Sequence, residues 1–593
     1  MPFGAQIAED GVRFALWAPT ARDVVIQLNG ARKKMVEAPG GWRHFLTPQA
    51  EVGTEYQFVV NGQIVPDPAS RFQPRDVFGP SVVIDPRSYR WENPQWLGRP
   101  WEEAVIYEIH VGTATSEGNY AALQARLPDL ATLGITAIQL MPLAEVPGGR
   151  NWGYDGVLPF APESAYGTPD DLKRLVDCAH GLGMMVLLDV VYNHFGPSGN
   201  YLNNYANCFF TERHHTPWGA AINCDGPQSD KVRSFFIENA LYWLDEFNFD
   251  GLRLDAVHAI LDDSNVHFLE ELARRVRADF PDRQIHLILE NEANEARLLA
   301  RDGARPSMYT AQWDDDIHNS WHVLLTGESE AYYGDFSDKP LEHLGRALAE
   351  GFAYQGEFAH HLGHARGEPS GTLPPQAFVS FLQNHDQIGN RAGGERLSHL
   401  VDDEKLSLAR AIHLLSPHIP LLFMGEDWAA STPFLFFTGF DEDETLSDAI
   451  RKGRQNEFAK FAAFCEISVP DPTSLSTFER SKLKWEEATQ EPHASIRTAV
   501  RDLLRLRRRY IVPLLRSRFH GGAWKEPATG MLDVRWDFEA GRLRIVMNFD
   551  DAADVDVEEM GTVIWSSAGV NAESNRVHLG SFHAVVFTYG SSR

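Results

Sequence analysis

The stretch FDGLRLDAVHAI, Phe249 to Ile260, opens as an apolar strand and closes on charge. Side chains of a strand alternate between its faces, so Arg253 and Asp255 point the same way while Leu254 points the other. Two charges sharing one face of a buried strand form either a structural ion pair or part of a site at the strand's end. The neighbouring segments decide between these.

The same pattern, an apolar run followed by a polar end, recurs in AVIYEIHVG, ITAIQLMPL, MMVLLDVVYNH, IHLILENE, FVSFLQNHD and IPLLFMGED. Strands that are apolar on both faces and alternate with helices predict a parallel sheet covered by helices. One helix entry is well marked in YGTPDDLKRLVDCAHGLG: Thr168 caps, Pro169 suits the first helical position and Asp170 and Asp171 complement the dipole. Gly181 and Gly183 end that helix. Buried strands do not need polar ends for stability, so their repetition predicts a (β/α)8 barrel with a site at its carboxyl end. The competing Rossmann sheet lacks support, because no G-x-G-x-x-G opens a helix and no P-loop is present.

Before the barrel, VRFALWAP, RDVVIQLNG and YQFVVNGQIV alternate as strands, with a tight hairpin expected at Asn61-Gly62. PDPASRFQPRDVFGPS reads as a strap into the next domain. After it, MLDVRWDF, LRIVMNF, TVIWSS and HAVVFTYG return to β patterning. The expected division is an N-terminal β-sandwich over 1–90, a catalytic barrel over 91–514 and a C-terminal antiparallel β-domain over 515–593.

Composition narrows the function. A net charge of −28, from 54 basic and 82 acidic side chains, repels phosphate backbones and anionic lipid surfaces, so no nucleic-acid or membrane partner is expected and a neutral substrate is. Cys178, Cys208, Cys224 and Cys465 lack both C-x-x-C spacing and the density of a disulfide scaffold. Free thiols, a start without signal-peptide pattern and no long apolar run predict a cytoplasmic protein.

Three strand ends offer carboxylates, Asp255, Glu290 and Asp386, and two offer imidazoles, His194 and His385. Strands of a barrel converge at its mouth, which places these groups around one pocket. Cleaving a glycosidic bond needs one carboxyl group protonated, to donate to the leaving oxygen, and another ionised, to meet charge developing at the anomeric carbon. Arg253 beside Asp255 favours the charged form, whereas Glu290 ends the apolar IHLILE and is expected to be held protonated by desolvation.

DVVYNH, GLRLDAVH, LILENE and FLQNHD resemble, in order and spacing, the four signature regions of the α-amylase superfamily of glycoside hydrolases. The resemblance implies Asp255 as nucleophile, Glu290 as general acid/base and Asp386 as transition-state stabiliser, with His194, Arg253 and His385 around the attacked glucose. It also implies Tyr154 of NWGYDG as a stacking tyrosine, with Asp155 structural. Endo-acting amylases usually carry lysine and histidine at the third and fourth positions after the nucleophile; here these are His258 and Ala259. DAVHAI, YNHFGPSGNYL, HHTPWGAAIN, QNHDQIGNRAGGERL and FMGEDWAASTPFLFF are similar instead to the trehalose-releasing branch of the superfamily. Its members hydrolyse the α-1,4 bond beside the terminal trehalose of maltooligosyltrehalose, a substrate supplied by a maltooligosyltrehalose synthase. Branching or debranching by the same carboxylates, and a barrel that only binds glycan, are the alternatives.

Weaker signals remain. His360 and His364, four apart, could bind metal on a helix, but no acidic or thiol ligand is near in sequence; no metal or cofactor is expected. Trp218 of TPWGAAIN and Trp313 of QWDDDIH fit a sugar-stacking platform or local core equally well, the acidic run being a solvated loop or helix cap. RLRRRY, Arg505 to Tyr510, reads as a solvated helical face.

Overall fold

The computed structural model describes residues 2–440, 443–458, 469–557, 559, 561–573 and 576–590; Cys465 lies outside them. Cys178, Cys208 and Cys224 are free thiols. No helix among the described residues is long and apolar enough to cross a membrane.

Eight parallel strands close into a barrel. They are β1 (Ile106–Ile109), β2 (Ala137–Leu140), β3 (Met185–Val190), β4 (Gly251–Leu254), β5 (His286–Leu289), β6 (Ala311–Trp313), β7 (Phe378–Ser380) and β8 (Ile419–Phe423). Each pairs with the next and β8 pairs with β1, so no edge is left open. Seven of these strands coincide with the apolar runs read from the sequence; β6, three residues long, does not stand out there. The helix over Pro169–Gly181 is entered through a capping box between Thr168 and Asp171, as its sequence predicts.

The barrel is filled by side chains spaced two apart. Ile106, Ala137, Met185, Leu187, Ile288, Ala311, Val379, Ile419 and Leu421 form its apolar interior. Two residues beyond Ile106, Leu187 and Ile288 stand Glu108, Asp189 and Glu290, and Arg253 joins them near the end of β4. The interior therefore changes from hydrocarbon to charge at the carboxyl ends of the strands.

The N-terminal segment is a sandwich of two antiparallel sheets. One holds Gly4–Ala8, Gly11–Trp17, Trp42–Thr47 and Val36–Ala38; the other is built around Val24–Leu28 and Glu55–Val60. Asn61 and Gly62, at φ 52° and 89°, make the two-residue turn between Glu55–Val60 and Gln63–Val65. The sandwich packs on the barrel side through Phe3 edge-on to Phe235 at 5.2 Å and Trp17 edge-on to Phe209 at 5.4 Å. At the other end of the chain a five-stranded antiparallel sheet and a three-stranded one follow the last helix. Trp536 of that domain donates its indole N–H to the Leu348 carbonyl at 2.8 Å, and Gly345 leaves room for the Trp524 ring.

Candidate active site

Arg253 organises the charged layer. Its guanidinium is fully buried and lies 4.2 Å from the centroid of the Trp313 ring. Nη1 reaches Asp189 at 2.7 Å and Asp255 at 2.9 Å, while Nη2 stands 3.7 Å from Glu290. Arg253 and Asp255 thus form an ion pair, and that pair is part of a larger cluster. Nε and Nη2 of Arg253 are buried without a hydrogen-bond acceptor.

Asp255 follows β4 directly, and its Oδ2 accepts 2.9 Å from the amide of Asn193. The next residue, Ala256, has φ 40°, a left-handed conformation that alanine rarely adopts. That turn aims the Ala256 N–H at the Glu290 carboxylate. Burial raises the pKa of Glu290; Arg253 works against this, and Asp255 and Asp386 reinforce it. The direction is the one expected from the apolar IHLILE run. Asp386 stands in the first turn of the helix His385–Gly389, where Asn384 accepts its backbone N–H at 2.8 Å, and its side chain remains half-exposed.

His385 is 1% exposed and lies beneath Asp386. Its Nδ1 pairs with Glu108 at 2.7 Å and its Nε2 with the Tyr154 hydroxyl at 2.8 Å. Burial alone would lower its pKa, but the Asp386 and Glu108 carboxylates outweigh burial and hold it at about 9. Tyr154 stacks on this imidazole at 5.2 Å and donates its hydroxyl to Asp189 at 2.8 Å. Burial lifts Asp189 to about 7, against the pull of Arg253 and with the help of Asp255.

His194 bonds the Tyr154 carbonyl through Nε2 at 2.9 Å and carries the Trp218 ring stacked on it at 5.1 Å, 6° from parallel. Trp218 lies at the turn of the hairpin Phe210–Thr216/Gly219–Ile222 and is 49% exposed. His258 sits across the mouth, its Nε2 3.8 Å from Glu292. A cavity of about 270 Å³ joins Glu290, Asp386 and His258 to Asp315, Tyr332 and Arg366. Of these, Asp315 and Tyr332 carry no strong signal in the sequence. Burial and the Glu290 charge raise Asp315 to about 8.

The acidic run after Trp313 departs from a solvated loop. Asp314 caps the helix Asp315–Thr326, as one of the two expected readings has it, but Asp316 is buried and pairs with Arg366 at 2.7 Å. Both oxygens of Asp316 are needed there, because Oδ2 also accepts the N–H groups of Ala353 and Tyr354. Trp313 itself is 1% exposed and belongs to the barrel interior. His360 and His364 lie on the short hairpin Phe358–Ala359/His364–Ala365 rather than on a helix, so their spacing does not bring them onto one face. Arg507 of the basic run is buried, which corrects the solvated-face reading for that residue. Among the described residues His214, Asp225 and Asp263 gather three ligand-type atoms, but Arg213 already reaches Asp225 at 3.1 Å and Asp263 at 3.7 Å.

The family described as alpha amylase, catalytic domain, matches residues 86–218, and carbohydrate-binding module 48 (isoamylase N-terminal domain) matches residues 2–86. A crystal structure of a Salmonella typhimurium protein superposes with a TM-score of 0.94 at 46% identity, covering 99% of each chain. The malto-oligosyltrehalose trehalohydrolase of Deinococcus radiodurans is 43% identical over 518 residues, 86% of this chain and 82% of its own length. That of Arthrobacter ramosus is 39% identical over 576 residues, 96% of this chain and 98% of its own. With a closed barrel, a cluster of carboxyl groups at its mouth and relatives matched along most of their length, the chain belongs to the malto-oligosyltrehalose trehalohydrolase family of α-amylase-type glycoside hydrolases.

Proposed function

We propose that the protein hydrolyses the α-1,4 bond beside the terminal trehalose of maltooligosyltrehalose, with retention, releasing trehalose and a maltooligosaccharide. The observation that carries this is the single guanidinium of Arg253 between Asp255 at 2.9 Å and Glu290 at 3.7 Å. Two carboxyl groups gathered on one planar cation suit a double displacement, which needs them roughly 5–5.5 Å apart. Asp255, held by Arg253 and Asn193, attacks the anomeric carbon. Glu290, protonated through burial, gives its proton to the leaving oxygen and then takes one from the incoming water. Asp386, exposed at the mouth, grips hydroxyls of the glucose as its ring flattens. Tyr154 and His194 border that glucose, Arg253 and His385 hold the carboxylates in place from below, and His258 and Trp218 face the leaving-group side.

The same reading divides the chain at 1–90, 91–514 and 515–593, places it in the cytoplasm and makes a maltooligosyltrehalose synthase its supplier. Family boundaries at residue 86 support the first division. The names of the relatives favour trehalose release over branching or debranching.

Incubation with maltotriosyl trehalose and with maltopentaose, followed by product chromatography and proton NMR, tests the proposal. Trehalose is joined through both anomeric carbons, so its outer ring leaves the site in a direction a maltose unit does not follow. Contacts with that ring serve the transition state and are lost with a linear chain. Trehalose as the main early disaccharide, kcat/KM at least about tenfold above that of maltopentaose, and the α-anomer of the new reducing end appearing first are expected. Equal kcat/KM values, or maltose as the first disaccharide, would return the reading to a general amylase.

A further inference from the structure

At the amino-terminal end of the barrel, away from the carboxylates, Val105, Ile135 and Thr136 at the starts of β1 and β2 wall a cavity of about 570 Å³. Five arginines line it, Arg99, Arg505, Arg507, Arg508 and Arg516, against one carboxylate, Glu103. In a chain of net charge −28 this is a local reversal of sign.

The carboxylates nearby do not neutralise it. Glu103 is shared between Arg99, at 2.7 Å, and Arg516, which also lies 3.9 Å from Glu102, and Arg505 rests on Asp502 at 3.1 Å. Arg508 has no ion-pair partner among the described residues. Arg507 supplies an independent observation. Its side chain is 1% exposed, its Nη groups donate to the carbonyls of Leu414, Ser416 and His418, and its Nε is buried without an acceptor. No carboxylate pairs with it among the described residues, and burial pulls its pKa down to about 9. The three carbonyls hold the guanidinium in place and leave its positive charge to the cavity wall. Arg507 also begins the π-turn Arg507–Ile511, where the helix His493–Leu506 loosens; such turns are frequent at functional sites.

A solvated helical face accounts for Arg505 and Arg508; Arg507, fixed by backbone carbonyls in the same wall, adds a charge that no carboxylate among the described residues offsets. Arginine rather than lysine matters too, since the planar guanidinium matches the oxygens of a phosphate in pairs. Between and beside the arginines the lining is apolar, with Leu133, Leu182, Leu504 and Val512. We propose that this cavity is a binding site for a phosphate-bearing small molecule, the arginines taking the phosphate and the apolar wall the uncharged part. The site is separate from the glucan site and does not depend on the reaction assigned there.

Calorimetric titration of the intact protein with inorganic pyrophosphate, ATP and adenosine tests this, beside the double variant Arg505→Gln/Arg508→Gln. Both side chains are exposed and lie outside the proposed catalytic machinery, so the variant keeps the wild-type melting temperature and hydrolysis rate. Pyrophosphate or ATP is expected to bind with Kd of about 1 mM or tighter, adenosine not at all, and the double variant at least about tenfold more weakly. Tighter binding of ATP than of pyrophosphate supports the site as described, and equal binding would overturn the role given to its apolar lining. No binding of either up to about 10 mM, or binding that the double variant leaves unchanged, would overturn the site itself.

Discussion

Asp255 and Glu290 are two carboxyl groups held by one arginine, and they differ in what else touches them. Asp255 adds the Asn193 amide to its guanidinium contact, whereas Glu290 has a backbone N–H and an apolar strand behind it. An Asp255→Asn variant is expected to lose about 10⁴-fold or more in kcat while keeping its melting temperature, because an amide of the same shape does not form the glycosyl ester. Near-normal turnover in the folded variant would remove Asp255 from that role. The raised pKa of Glu290 fixes the sign of the pH response. Its acid form persists to higher pH than in a free carboxyl group, so activity is present below that pKa and falls as pH rises through it. In Glu290→Gln, assayed on an aryl glycoside whose leaving group needs no proton, the alkaline fall should vanish; its survival would assign the limb to another group. Asp255, Glu290 and Asp386 were legible because acid at the end of an apolar run has no structural need. Glu108, Asp189 and Asp315 were not. Glu108 and Asp189 stand inside apolar runs, and the groups that account for them, His385 and Arg253, lie far along the chain.

The hairpin Phe210–Ile222 is the element that brings an aromatic surface to the mouth. Sequence left Trp218 balanced between core and platform, because a tryptophan beside Pro217 and Gly219 fits either; its half-exposed ring on His194 favours the platform. Trp218→Ala is expected to raise KM for maltooligosyltrehalose about tenfold, the size of one lost stacking contact, with a smaller effect on kcat. Unchanged KM would make the stack on His194 purely structural. β6 shows the opposite limit of legibility. Three residues give no period to count, and its identity comes from pairing with β5 and β7, which is long-range information. The basic run Arg505–Tyr510 is legible as helical but not in its burial, because Arg507 follows the buried Leu503 and Leu504 at helical spacing and so falls on the inner face despite its charge.

Across the whole molecule the three-part order was legible from the change of period alone, two, then strand and helix, then two again. How the parts are joined was not, because the joining contacts are single aromatic residues without a pattern. Phe3, Trp17, Phe209 and Phe235 belong to one continuous core that runs from sandwich to barrel. Sandwich and barrel are therefore expected to unfold together. Phe3→Ala, losing a ring that is 3% exposed, should cost about 3–5 kcal/mol and lower the melting temperature of the single transition. Calorimetry resolving an early sandwich transition from an unshifted barrel would contradict this. Trp17 also supports Phe209, the residue just before the Trp218 hairpin, so the N-terminal module buttresses that hairpin from behind.

The guanidinium shared by Asp255 and Glu290 has a consequence for electrical balance. In the proposed cycle the negative charge on Asp255 disappears as the ester forms, and one appears on Glu290 as its proton departs. Arg253 is near both, at 2.9 and 3.7 Å, so the charge crosses from one side of a fixed cation to the other while the total stays constant. In that cycle no counter-ion has to enter or leave the site during bond cleavage, since the fixed cation faces one negative charge before and after it.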